Sequence, residues 1–265
     1  MKTAQIIAVA NNKGGVGKTT TVACLGAALA RHGRRTLLID TDPQCSLTDS
    51  LVSGDHPQNS YTALTGPKNA ASLAGIIIPG SAFDNPVENI DLIPSSPKIS
   101  DLDVELNSRT SRERFLVKVI QALRLDEKYD YILIDCPPAL DMKTVVALTA
   151  CTMVIVPTHA EILPLRGLTK LEDKCDEIVE DLNPGAANRY VLITRYNGGT
   201  NLSQSVNEVL EHAYGDKVFK TRIGINVRLA ECPGAKKTIF DYDPSCKGAQ
   251  NYEALSQEIM ALEEA

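Results

Sequence analysis

The sequence predicts one α/β domain: a mostly parallel, twisted sheet flanked by helices on both faces. Short apolar runs, "QIIAVA", "RTLLID", "YDYILIDCP", "CTMVIVPT" and "NRYVLITRY", alternate with stretches of helical periodicity. That order places parallel strands in the middle and crossover helices outside. The runs are apolar almost without a break, as strands covered on both faces must be. A chain of 265 residues that is 43% hydrophobic can bury a large core, and a single domain over residues 1–265 is expected.

Taken in order, "QIIAVA" runs into a glycine-rich loop and then a helix over 18–32, which Gly33 ends where a left-handed cap is wanted. "RTLLID" is the second strand. Residues 53–100 are rich in Gly, Pro, Ser and Asn and read as loops and short helices around one strand near "NIDLIPS". Further helices are expected over 112–125, 142–150, 163–182, 202–213 and 250–262, between and after the remaining strands.

Composition narrows the function. The formal charge of -6 argues against a surface that binds polyanions everywhere. Between Arg189 and Lys247, however, nine basic residues face six acidic ones, so this stretch is +3 and the remainder -9. The seven cysteines are scattered, with no C-x-x-C pair and no zinc spacing, and read as reduced, mostly buried thiols. "MKTAQIIAVA" is too short an apolar run for a secretory signal, and no run approaches the roughly 20 apolar residues of a membrane span.

"GGVGKTT" follows a strand and opens a helix, the context that makes a glycine motif a credible phosphate loop. Gly14, Gly15, Val16 and Gly17 let backbone N–H groups converge on phosphate oxygens, and the helix N-terminus adds partial positive charge. Lys18 supplies a point charge for the β- and γ-phosphates. Thr19, followed by Thr20, offers the hydroxyl that a nucleotide-bound magnesium ion takes as a ligand. Acids end two later strands: "LLIDTDPQ" carries Asp40 and Asp42, and "YILIDCPPAL" carries Asp135. A single acid of this kind is equally a helix cap or turn residue. Three in register with a phosphate loop point to metal holding and water activation. Lys13, ahead of the glycines, is either an exposed lysine before a turn or a second phosphate ligand.

The spelling K-G-G-V-G-K-T-T resembles the deviant phosphate loop of the ParA/MinD ATPases. "LLIDTDPQCSLTDSL", "YDYILIDCPPAL", "TNLSQSVNEVLEHAYGDKVFKTRI" and "NVRLAECPGAKKTIFDYDPSCKGAQNYEAL" resemble blocks of the ParA/Soj branch in the same order. The resemblance implies a P-loop NTPase without a preceding helix-turn-helix domain, using ATP and Mg2+. It implies that Lys13 reaches the nucleotide of a partner subunit, so that ATP binding makes a homodimer. Asp42 would order the attacking water, Asp40 would give support near the magnesium, and Asp135 would be the metal-holding acid. Non-specific DNA would be bound by Arg195, Lys217, Lys220, Arg222, Arg228, Lys236 and Lys237, with Arg228 foremost. Gly198 and Gly199 before "TNLS", and "IGINVR" with one arginine fewer than the family run, imply weaker DNA contact. A ParB-like partner would stimulate slow hydrolysis, and the protein would be cytoplasmic and nucleoid-associated. A MinD-like membrane regulator is the alternative, although the tail "NYEALSQEIMALEEA" ends acidic rather than as a basic amphipathic helix. An iron-sulfur scaffold of the same fold is another, for which Cys136 beside Asp135 is the candidate thiol; a plain buried cysteine is the simpler reading.

Overall fold

Strands form where the apolar runs stand. The computed structural model describes residues 3–160 and 165–263. Its strands are β1 (Gln5–Val9), β2 (Thr36–Asp40), β3 (Ile78–Pro79), β4 (Ile90–Ile93), β5 (Tyr131–Asp135), β6 (Met153–His159) and β7 (Arg189–Thr194). They make one sheet in the order β3-β4-β2-β5-β1-β6-β7. All neighbours are parallel except β3, a two-residue antiparallel edge beside β4. Sequence reading missed β3, because Pro79 argues against a strand. At an edge its missing N–H costs no ladder bond.

The longer helices are α1 (Lys18–Arg31), α2 (Phe115–Leu123), α3 (Met142–Ala150), α4 (Leu165–Asp181), α5 (Asn201–Tyr214) and α6 (Lys247–Leu262). Successive strand residues point to opposite faces, and each face has its own core. Ile132 and Ile134 pack with Val119 of α2 and Val146 of α3. Tyr131 and Leu133 pack with Leu25 of α1 and Leu255 of α6. These side chains are buried, and each stabilises the fold by about 1.5–3 kcal/mol relative to exposure. The helices therefore lie on both sides, as expected.

Element ends differ from the sequence reading in places. The helix expected over 112–125 is a 3-10 turn at Arg112–Arg114 followed by α2, and Arg124 breaks it with a φ of 53°. Leu125 then restarts a short helix, fully buried; burial of that leucine outweighs continued helix propensity. Helix α6 starts three residues before the expected 250, at Lys247, because the Cys246 sulfur accepts a hydrogen bond from Ala249 N at 3.3 Å. Gly33 follows α1 with a φ of 72°, as its position suggested. Of the helix expected over 163–182, Leu163 and Pro164 lie outside the described residues.

The topology sets the site. Strand β5 lies between β1 and β2, and in register Asp135 stands beside both Val9 and Asp40. The loop leaving β1 and the acids ending β2 and β5 therefore meet at the carboxyl ends of the strands, where open α/β sheets bind ligands.

Candidate functional site: a phosphate loop facing strand-end carboxylates

The loop after β1 is anchored before it turns. Asn11 is buried; its Nδ2 donates to Pro157 O at 2.7 Å and its Oδ1 accepts from Lys13 N at 3.0 Å. Gly15 and Gly17 then take φ values of 71° and 92°, a region that side chains with a Cβ avoid. Gly17 is the N-cap of α1 and offers no side-chain hydrogen bond. The first amides of α1 are left for a ligand, at the positive end of the helix dipole. Gly14, Gly15, Gly17, Lys18, Thr19 and Thr20 line one side of a cavity of about 430 Å3. The lining also includes Asp42, Pro138, Leu229, Ala230 and Cys232. Val16 is buried instead, its carbonyl turned away to the Thr194 hydroxyl at 2.9 Å.

Lys18 is 6% exposed, and its Nζ donates to Lys13 O at 3.0 Å. Burial pulls its pKa down, against the opposing charges of Asp135, Cys136 and Asp42. Thr19 Oγ1 donates to Asp135 Oδ2 at 2.8 Å. Asp135 Oδ1 is buried and has no hydrogen-bond partner among the described residues. Burial, then the nearby Asp40 charge, raises the Asp135 pKa well above the carboxylate range. A lone buried carboxylate oxygen beside a threonine hydroxyl is a fitting donor set for a hard divalent cation, which would also supply the missing positive charge.

Asp40 and Asp42 divide their roles. Asp40 Oδ1 accepts from Asp42 N at 3.0 Å, and Oδ2 accepts from Thr48 N at 2.9 Å and Thr48 Oγ1 at 2.7 Å. Burial raises its pKa to about 6, with the Thr48 bonds acting in the opposite direction. Expected beside the metal, Asp40 spends both oxygens on shaping its own loop. Asp42, 8% exposed, reaches the cavity and accepts from Gln44 N at 2.9 Å. Cys136 is fully buried, its thiol pushed up by burial, and no cluster of three or more His, Cys, Asp or Glu suited to a metal occurs among the described residues.

The basic candidates do not form one stripe. Arg195, Lys220 and Arg228 are exposed. Arg228 pairs with Glu231 at 2.8 Å and Asp243 at 3.4 Å, contacts worth little at a surface. Arg222 is held by Glu211 and Asn207, both at 2.6 Å, and by Phe219 O. Lys236 caps Asp49 O at 2.8 Å and Val52 O at 3.1 Å. Lys217 lies over the Tyr190 ring at 4.5 Å, and Lys237 lines the phosphate cavity. Arg222 and Lys236 thus serve the fold, whereas Arg195 follows β7 and Arg228 opens the short helix Arg228–Glu231, on segments joined by the Tyr196–Gly224 pairing.

A family model described as an AAA domain matches residues 4–187. The chain is 40% identical to the sporulation initiation inhibitor protein Soj of Bacillus subtilis, over 97% of this chain and 98% of that one. It is 41% identical to the chromosome-partitioning ATPase Soj of Thermus thermophilus, over 96% and 95%. It is 36% identical to the chromosome partitioning protein ParA of Caulobacter vibrioides, over 98% and 95%. The chain belongs to the ParA/Soj family of partition ATPases. Among solved structures, a cobyrinic acid a,c-diamide synthase from Mycobacterium smegmatis with bound ADP and magnesium superposes with a TM-score of 0.81 at 29% identity, covering 99% of this chain and 96% of that one. A plasmid partition protein from Borrelia burgdorferi bound to AMPPNP superposes with a TM-score of 0.78 at 24% identity, covering 98% and 100%, and attests the shared fold.

Most of the phosphate-loop signature thus lines one cavity with Asp42, and Lys13 is half-buried at the start of the loop. Sequence reading missed Asn11, Thr48 and Thr194, which tie the loop and its acids in place. Single polar residues near strand ends carry no motif that would have marked them.

Proposed function

We propose that this protein is an ATP-driven dimerisation switch of the partition type. The observation that carries the reading is the convergence of Lys18, Thr19 and Asp42 on one phosphate-loop cavity, with the buried Asp135 accepting from the Thr19 hydroxyl. The loop amides and Lys18 hold the triphosphate. Thr19 and Asp135 would hold Mg2+, which neutralises charge on the β- and γ-phosphates. Asp42 orients the attacking water and accepts its proton. Lys13 acts across the interface on the partner copy's nucleotide, so the ATP state sets pairing. The paired form binds DNA phosphates without sequence preference through exposed basic residues, Arg228 first. A ParB-like protein stimulates hydrolysis and releases the cargo-positioning cycle. No helix among the described residues is long and apolar enough to cross a membrane.

The experiment is DNA retention with ATP or ADP, using wild type and Arg228→Ala, alongside ATP turnover. The expected result is retention that needs ATP, weakens in the variant, and falls with salt less steeply there by about one phosphate contact, a slope change of roughly 0.9. Turnover that depends on an added small metabolite, with no DNA retention, would instead indicate a ligase like the M. smegmatis structural relative.

A further inference from the structure

The last strand grips the phosphate loop from behind. Thr194, the final residue of β7, is buried. Its Oγ1 lies 2.9 Å from Val16 O and 3.2 Å from Thr158 O. Across a trans peptide, C=O and N–H point in opposite directions. A Val16 carbonyl turned back to Thr194 therefore aims the Gly17 N–H at the cavity. Gly17 has a φ of 92°, and a Cβ added there would lie 3.8 Å from Thr194 Cγ2.

Thr194 is also where β7 passes into the segment that begins with the exposed Arg195. Arg195 follows with a φ of 50°, turning the chain off the sheet. Ile223 N donates to Ile193 O at 2.9 Å and Tyr196 N to Ile223 O at 3.0 Å, and Tyr196 pairs with Gly224 four residues before Arg228. A second cavity of about 390 Å3 has Gly15, Val16 and Gly17 on one side and Arg195, Asn226 and Val227 on the other. A movement of the Val16–Gly17 peptide thus meets a buried strand end one residue from Arg195.

We infer that Thr194 is a positioning residue that holds the Val16–Gly17 peptide with its N–H toward bound phosphate and passes phosphate occupancy to the segments bearing Arg195 and Arg228. The second half rests on the proposed DNA-binding function; the first does not.

Thr194→Val removes the hydroxyl and keeps the shape, whereas Thr194→Ser keeps the hydroxyl and removes a methyl. Affinity for a fluorescent ATP analogue with Mg2+, and the ratio of DNA retention in saturating ATP to that in ADP, are measured on the full chain. Thr194→Val is expected to weaken nucleotide binding about tenfold and bring the ratio close to one, with Thr194→Ser near wild type in both. A packing role would produce the opposite ranking. Nucleotide affinity unchanged in Thr194→Val, or lower in Thr194→Ser than in Thr194→Val, overturns the holding role. A ratio preserved in Thr194→Val overturns the transmission. Should Thr194→Val not fold, hydrogen exchange in wild type decides: residues 195–200 and 223–228 slow on adding MgATP, and unchanged exchange there contradicts the inference. Wild type without ATP-dependent DNA retention refutes the proposed function, and the nucleotide arm still judges the holding role.

Discussion

At the scale of single residues, three acids that look alike in sequence carry different burdens. Asp42 reaches the cavity with one oxygen tied to Gln44 N. Asp42→Ala is expected to slow ATP hydrolysis by about 100-fold or more while binding holds; an unchanged rate in a turnover assay removes its water-orienting role. Asp135 is fully buried, and its raised pKa means that it holds a proton to higher pH than an ordinary carboxylate. A cation must displace that proton. The tightening of ATP binding by Mg2+ should therefore shrink as pH is lowered, and Asp135→Asn should flatten the dependence; titrations with and without Mg2+ at each pH read it. The place of Gly14, Gly15, Gly17, Lys18 and Asp42 around one cavity was legible in sequence from their types and spacing. Asp40 was not, since its partner Thr48 lies eight residues on and the two meet only when the chain folds.

At the scale of elements, the short helix Ser46–Asp49 ties the end of β2 to the segment after β4. Thr48 Oγ1 donates to Asp40 Oδ2 at 2.7 Å and accepts from Ser95 N at 2.9 Å. Thr48→Val leaves the buried Ser95 amide without that acceptor, and we expect a loss of about 2 kcal/mol, read as a lower urea midpoint at unchanged slope. A midpoint equal to wild type would show that the tie contributes nothing. The long strands and α1, α3 and α5 were readable because apolar period and burial coincide there. Edges were not: β3 has two residues and one is proline, and α2 ends where Arg124 turns left-handed to bury Leu125. Both outcomes depend on partners distant in sequence.

At the scale of the whole molecule, the basic excess of residues 189–247 resolves into separate duties. Arg222 and Lys236 hold the chain to itself, Lys237 faces the phosphate cavity, and Arg195 and Arg228 stand on segments joined by the Tyr196–Gly224 pairing. Net charge located this third of the chain, but charge counting does not separate a surface cation from one that caps a carbonyl. The proposed switch requires that nucleotide state set the pairing of two copies, with Lys13 of each acting on the other's triphosphate. Light scattering on gel-filtered Asp42→Ala protein, loaded with MgATP or ADP, tests it most directly. The expected result is twice the single-chain mass with ATP, the single-chain mass with ADP, and loss of the doubled mass when Lys13→Gln is added. A single-chain mass in Asp42→Ala protein that has bound ATP would contradict it.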